Sequence, residues 1–126
     1  MERFVSFLVV GAGGAIGSCA RYAIGLWTQA RGWTEFPWAT LIVNVVGCFL
    51  ITFVFGVLTS GSNLRLFLTT GVMGGLTTYS TFDYETTRFL QQGATASAFA
   101  NIALTLVACF VAGLLGIALA RVVMPD

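Results

Sequence analysis

The stretch that decides the fold is GVMGGLTTYSTFDYE, residues 71–85, in the third apolar block of the chain. A Gly-Gly pair followed by a run of Thr and Ser is poor material for a continuous helix, because these residues have low helix propensity. A helix that breaks inside a membrane exposes backbone groups, and each unpaired group in hydrocarbon costs several kcal/mol. Such a break is stable only where it faces protein, lines water or holds an ion. Carbonyl oxygens suit a hard cation such as Na⁺.

The alternative for this stretch is an ordinary helix whose hydroxyl groups bond to their own backbone and whose aromatic rings only pack. Tyr79, Phe82 and Glu85 are spaced three residues apart, so beyond a break they would share one face of a helix. The residues alone leave both interpretations open.

The composition of the chain is typical of a membrane protein. Hydrophobic residues make up 57% of the 126 residues and charged residues 9%, whereas a soluble domain carries about 25% charged residues. The chain has no His and no Lys, which excludes imidazole bases, Schiff-base lysines and Walker-type phosphate loops. We therefore expect that the protein is not an enzyme. The net charge of +1 offers no basic surface for nucleic acid, so no nucleic-acid partner is expected. Because the chain is so apolar, the expected partner is the lipid bilayer.

Charged and turn-forming residues divide the chain into four apolar blocks, each long enough for a transmembrane helix of roughly 20 residues. The predicted spans cover approximately residues 4–28, 38–58, 66–90 and 95–124 of a single four-helix transmembrane domain, residues 1–126. Two glycine pairs with the G-x-x-x-G spacing, at positions 13 and 17 and at positions 71 and 75, predict closely packed helices. A cleavable signal peptide is not expected, because Glu2 weakens the positive region that should precede the first apolar run.

The arginines leave the orientation in the membrane nearly undecided. Cytoplasmic loops normally carry an excess of Lys and Arg. Arg3, Arg65 and Arg121 would lie on one side of the membrane, and Arg31 and Arg88 on the other. Arg21 lies within the first span, nearer the second side, so the count is three against two or three against three. Either a small bias selects one orientation, or the chain inserts both ways and two copies pair as an antiparallel homodimer.

Arg21, Thr40 and Asn44 stand out among the polar residues of the first two spans, where polar groups are costly and usually functional. Arg21 either extends to the membrane interface or forms a positive vestibule that concentrates anions. Thr40 and Asn44 are four residues apart and share a helix face. We expect Asn44 either to form an interhelical hydrogen bond or to line a pore.

The fourth span carries a polar line, because Asn101, Thr105 and Cys109 occur at i, i+4 and i+8. This line fits a hydrogen-bonded seam between helices as well as it fits a transport pathway. Asp83 and Glu85 are the only acidic residues within the spans, whereas neutral donors are numerous. Neutral donors, a positive mouth and aromatic rings with electropositive edges favour a small hydrated anion. The residues alone thus predict a small-anion channel or transporter.

The sequence also resembles the Fluc-type (CrcB) family of bacterial fluoride channels over essentially its whole length. The resemblance rests on GGAIG and ARY at residues 13–17 and 20–22, TLIVN at residues 40–44 with Gly47, and GGLTTYSTF at residues 74–82 with Glu85. It implies a fluoride-selective channel that exports F⁻ passively across the bacterial inner membrane and confers fluoride resistance. It further implies an all-α, antiparallel dual-topology homodimer with two pathways, in which the third of four transmembrane helices is broken at mid-membrane.

The resemblance implies roles for individual residues. Asn44 corresponds to the pore amide, Arg21 belongs to the vestibule, and Thr40 joins the pathway on the face of Asn44. Tyr79 and Phe82 occupy the positions of two pore phenylalanines. Tyr79 departs from the usual phenylalanine, and its hydroxyl group either narrows the pathway or adds a donor.

The remaining residues of the third-span motif are implied to act beside those rings. Ser80 and Thr81 would supply hydroxyl groups, and Glu85 would lie on the polar track beyond. The backbone carbonyls of Gly74 and Thr77, from both subunits, would hold a structural Na⁺ at the dimer interface. The polar line of the fourth span matches the family's polar track in position but not in residue type.

Two other classes of protein are the alternatives. A proton-coupled small multidrug exporter has a similar size and four helices, but that class needs a carboxylate in the first span, where Arg21 is the only charged residue. A membrane scaffold subunit without transport activity would need neither Asn44 nor a broken third helix.

Overall fold

The computed structural model describes all 126 residues, and the protein is entirely helical, as the sequence predicts. The helices are α1 (Glu2–Ala30), α2 (Trp38–Val57), α3 (Asn63–Leu66), a π-helical segment (Phe67–Met73), α4 (Gly74–Leu76), α5 (Tyr79–Gln91) and α6 (Thr95–Val123). Three of them, α1, α2 and α6, are long and apolar enough to cross a membrane. The protein is therefore an all-α protein of the multi-pass membrane type.

Local sequence signals explain where these helices begin and end. Pro37 immediately precedes α2, where its missing N–H removes no helical hydrogen bond. The side chain of Ser62 caps α3 by accepting a hydrogen bond from the N–H of Arg65 at 3.1 Å. Gly93 ends the turn after α5 with φ of 76°, a left-handed conformation that glycine adopts without a steric penalty.

The glycine pairs bring α1 against the π-helical segment and α4. A Cβ atom on Gly13 would lie 2.9 Å from the Cα of Gly71, and one on Gly17 would lie 2.8 Å from the backbone nitrogen of Leu76. A Cβ atom on Gly75 would clash with the backbone carbonyl of Gly14. The absence of side chains at these positions lets the two backbones approach closely, which is how membrane helices gain packing energy.

The helical path of residues 63–91, which we call the third segment, is interrupted at Thr77 and Thr78. Both residues are extended, Thr77 with φ −87° and ψ 149° and Thr78 with φ −152° and ψ 122°. Gly74 keeps helical angles, φ −62° and ψ −37°. The interruption thus follows the Gly-Gly pair by two residues. Gly75 allows the close contact with α1 and is not itself one of the extended residues.

The second helix joins the remaining elements. It packs along α6 and also contacts the third segment. A small apolar cluster of Val43, Met73 and Leu76 is buried where α2 meets that segment. These contacts place the interruption against α2.

Candidate functional site

The side chain of Asn44 forms hydrogen bonds with the backbone of the helix interruption. Its Nδ2 donates a hydrogen bond to the carbonyl oxygen of Thr78 at 3.2 Å, and its Oδ1 accepts one from the N–H of Thr78 at 2.9 Å. Asn44 is only 9% exposed, so the N–H and the carbonyl of Thr78 are both satisfied without water. Of the two roles that the sequence left open for Asn44, the structure shows the interhelical hydrogen bond.

The same contacts change the partners of two backbone carbonyls. A continuous helix would direct the N–H of Thr78 at the carbonyl of Gly74, and the N–H of Thr81 at the carbonyl of Thr77. Instead, the N–H of Thr78 bonds to Asn44, and the N–H of Thr81 bonds to the hydroxyl oxygen of Thr78 at 3.3 Å. The carbonyls of Gly74 and Thr77 have therefore lost the donors that a regular helix would give them.

Thr78 is a residue of the candidate site that the sequence interpretation did not include. It is the N-cap of α5, and its hydroxyl group also contacts the hydroxyls of Thr81 at 3.2 Å and Ser80 at 3.3 Å. A Ser or Thr just before a helix is the usual N-cap signal. The signal was present, but four Ser and Thr residues within residues 77–81 made the position of the N-cap ambiguous.

A cavity of about 380 Å³, which we call the central cavity, opens beside the interruption between α2, α5 and α6. It is mainly apolar, with a few polar groups. Its lining consists of Asn44, Gly47, Cys48, Ile51, Met73, Thr77, Thr78, Tyr79, Phe82, Thr105, Leu106, Cys109 and Phe110. Six of the residues predicted for the site thus meet in one place: Asn44, Thr77, Tyr79, Phe82, Thr105 and Cys109.

The two aromatic rings of the third-segment motif form one wall of the central cavity. The ring centroids of Tyr79 and Phe82 are 5.6 Å apart with an interplanar angle of 61°, an edge arrangement. Tyr79 is 80% exposed, so its ring and hydroxyl group project away from the rest of the chain. Ring edges carry partial positive charge and can face an anion.

Asn101 holds α5 and α6 together and does not line the central cavity. It is 2% exposed, and its Nδ2 donates a hydrogen bond to the hydroxyl oxygen of Thr86 at 2.9 Å. Thr86 in turn donates to the carbonyl oxygen of Phe82 at 2.8 Å. Thr105 donates to Oδ1 of Asn101 at 3.4 Å. The polar line of the fourth span is therefore divided: Asn101 belongs to a seam, whereas Thr105 and Cys109 face the cavity.

Arg21 lies in a second cavity of about 390 Å³, the arginine cavity, on the other side of the third segment. Its Nε donates a hydrogen bond to the carbonyl oxygen of Gly75 at 3.1 Å. Thr40 and Thr81 line the same cavity. Arg21 thus binds the backbone next to the interruption, a contact that neither sequence interpretation of this residue included.

Glu85 lies outside the central cavity and is bound to α2. The hydroxyl group of Thr40 donates a hydrogen bond to Oε1 of Glu85 at 2.5 Å. Glu85 also lines a third cavity, of about 610 Å³, beside the loop that precedes α2. Thr40 therefore connects the arginine cavity with this third cavity. Ser80 is exposed and lines neither the central nor the arginine cavity.

Long apolar helices and a helix interruption lined by amide, hydroxyl and ring-edge groups define a multi-pass membrane protein with a built polar site. Residues 8–117 match the family described as CrcB-like protein, Camphor Resistance (CrcB), and the chain belongs to this family.

Three curated relatives are similar over almost their whole lengths, and each is named fluoride-specific ion channel FluC. The relative from Sorangium cellulosum is 47% identical over 96% of both chains. The relative from Rhizobium meliloti is 43% identical over 90% of this chain and 94% of its own. The relative from Clostridium novyi is 42% identical over 98% of this chain and 99% of its own.

Proposed function

We propose that this protein is a fluoride-selective channel that exports F⁻ passively across the bacterial inner membrane and so confers fluoride resistance. Membership of the CrcB family and the names of the relatives support this function. The observation that carries it is the double hydrogen bond between Asn44 and Thr78, which keeps a helix interruption stable beside a cavity lined by ring edges and hydroxyl groups.

The pathway begins in the central cavity and continues toward Glu85. Thr105 and Cys109 lie at its α6 wall, and Asn44 and the ring edge of Phe82 face it from α2 and α5. Small neutral donors and ring edges replace the water molecules around fluoride without holding it as tightly as a full charge would. Beyond the rings, the hydroxyl groups of Thr81, Ser80 and Thr40 and the carboxyl group of Glu85 continue the polar route. Arg21 supplies positive potential next to the interruption.

We further propose that α3, the π-helical segment, α4 and α5 together form the third of four membrane crossings. Residues 63–91 cover this crossing, and the interruption at Thr77 and Thr78 lies near its middle. An irregular backbone at that depth is tolerated only against protein or water, which agrees with the amide of Asn44 and the central cavity beside it.

Two copies of the chain complete the channel as an antiparallel, dual-topology homodimer. The nearly even division of the arginines between the two sides allows both orientations. Tyr79 is 80% exposed although its ring belongs to the pathway, so a second copy is needed to cover this side of the central cavity. Each copy contributes one pathway.

The carbonyls of Gly74 and Thr77 are the proposed ligands of a structural Na⁺ at the dimer interface. Both have lost their helical donors, and carbonyl oxygens are the ligands that a hard cation prefers. Two oxygens from one chain are too few for such an ion, whereas two chains supply four. When bound, the ion supplies positive charge that holds the two interrupted segments together.

Fluoride efflux from liposomes tests the proposed function. Liposomes with purified protein and Na⁺ on both sides should release trapped fluoride far faster than empty liposomes and should retain chloride. A pH gradient should not drive the release, whereas it would drive a proton-coupled exporter. Release no faster than from empty liposomes, with both the wild type and Tyr79→Phe, would exclude a channel and favour a scaffold subunit.

A further inference from the structure

Cys48 on α2 and Cys109 on α6 line the same two cavities at the interface between these helices. Both cysteines are free and half-buried. The third cysteine, Cys19, lies on α1 and is exposed. The chain therefore contains one pair of thiols and one isolated thiol, which provides an internal comparison.

The helix packing around the pair is tight. The hydroxyl group of Thr52, one turn after Cys48, donates a hydrogen bond to the carbonyl oxygen of Gly113, one turn after Cys109, at 2.8 Å. A Cβ atom on Gly113 would lie 3.9 Å from the carbonyl oxygen of Cys48. Gly116 has no room for a side chain against Phe49 and Thr52. The backbones beside the two thiols are thus held at a fixed separation.

The pair also separates two cavities. Cys48 and Cys109 line the central cavity, and both also line an adjacent cavity of about 380 Å³ that extends along the α2–α6 interface. Both thiols are therefore reachable by a small ion from either space. Met73 lines the central cavity as well, so its thioether adds a third soft sulfur to this wall.

We propose that Cys48 and Cys109 form a binding site for a soft, thiophilic metal ion such as Hg²⁺, Ag⁺ or Cu⁺, and that its occupation obstructs the central cavity. Soft sulfur ligands select such ions. Each thiol releases its proton to water and forms one metal–sulfur bond, so no electron is transferred and no other reactant is needed. The effect on conduction rests on the proposed function, whereas the binding of the metal does not.

Mercury(II) titration tests the binding. The full-length protein with Cys19→Ser retains only the paired thiols, and it should bind one Hg²⁺ per chain in detergent, read by intact mass and by mercury–thiolate absorbance. Adding Cys48→Ala or Cys109→Ala should weaken retention against a competing dithiol by at least about tenfold, because a ligand is lost. Two ions per chain, or equal retention by the single-thiol variants, would overturn the shared site.

Fluoride efflux tests the obstruction separately. One equivalent of Hg²⁺ should slow efflux through the Cys19→Ser protein by about tenfold or more, and a dithiol should restore it. The ratio of efflux with and without Hg²⁺ should return close to one when Cys48→Ala is added. Binding without any change of flux would overturn the obstruction. A protein that binds Hg²⁺ at one site but never conducts fluoride would refute the proposed function and leave the metal site standing.

Discussion

Asn44 and Thr78 exchange two hydrogen bonds, so that one side-chain amide satisfies both the N–H and the carbonyl of a single extended residue. An amide carries its donor and its acceptor on two separate atoms, so it can pair with the N–H and the carbonyl of one residue at the same time. The same amide faces the central cavity. The stability of the interruption and the polarity of the central cavity therefore both depend on Asn44.

Replacing Asn44 with Ala should reduce fluoride efflux by about tenfold or more, as expected for an added barrier of about 1.4 kcal/mol. The change removes both bonds and leaves buried backbone groups unpaired, at a cost of about 1–3 kcal/mol. Efflux from liposomes and thermal unfolding in detergent measure the two effects. Ser6→Ala is the control, because the hydroxyl group of Ser6 bonds only to its own helix, at the carbonyl of Glu2. Unchanged efflux in Asn44→Ala would remove the amide from the pathway.

The rings of Tyr79 and Phe82 should respond differently to substitution. Tyr79→Phe keeps the ring edge and should conduct fluoride at least as fast as the wild type. Phe82→Ile removes the ring edge while it retains an apolar side chain, and should slow efflux by about tenfold. Both variants should fold, as monitored by gel filtration and circular dichroism. If Phe82→Ile conducts normally, ring edges play no part in selecting the anion.

Gly17→Ala should destabilise the protein by about 1–3 kcal/mol, because the new methyl group would overlap the backbone of Val72 and Leu76. Gly25→Ala on the same helix has open space around it and should be neutral or stabilising by up to about 1 kcal/mol. Thermal unfolding of the two variants in one detergent gives the comparison. Equal melting temperatures would mean that α1 does not pack closely on the third segment.

Thr40→Val should slow fluoride efflux severalfold, because it preserves shape but takes the hydroxyl donor away from Glu85. The matched control is Thr69→Val, since the buried hydroxyl group of Thr69 donates only to its own helix, at the carbonyl of Arg65. Efflux rates of the two variants should differ clearly. A similar loss in both would indicate a general packing defect and no role for the contact between Thr40 and Glu85.

Replacing Na⁺ with a large organic cation should weaken the dimer or its activity, because the carbonyls of Gly74 and Thr77 would then lack a shared cation. Dilution-dependent dissociation, followed by single-molecule photobleaching in liposomes, measures the first effect, and fluoride efflux measures the second. Potassium serves as the control for ionic strength. A dimer that is equally stable and active in all three cations would exclude a structural Na⁺.

The sequence predicted the helical architecture well because apolar block length and turn residues act locally. The structure has long helices at Glu2–Ala30, Trp38–Val57 and Thr95–Val123, within a few residues of three predicted spans. The third segment was harder to predict, since its conformation depends on Asn44, which is 34 residues away in the chain from Thr78. Local propensity identified an irregular stretch there, but only the tertiary contact selects which residues become extended.

In the candidate site, too, some features follow from the local sequence and others depend on tertiary contacts. Composition and spacing singled out Asn44, Phe82 and Thr105 as polar or aromatic residues in apolar helices, and they meet at one cavity. Helical spacing alone could not show that Asn101 bonds to Thr86 and turns away from that cavity. Spacing defines a helix face, whereas the neighbouring helix determines which part of that face is covered.

The π-helical segment Phe67–Met73 should tolerate the loss of one residue better than the α-helices around it. A π-helical turn accommodates one more residue than an α-helical turn while both flanks keep their direction. Deleting one residue there would return the segment to α-helical bonding with its ends still aligned, whereas the same deletion in the middle of α1 would rotate half of that helix by about 100°. We therefore expect insertions and deletions accumulated during evolution to concentrate in this segment and to be absent from the first helix.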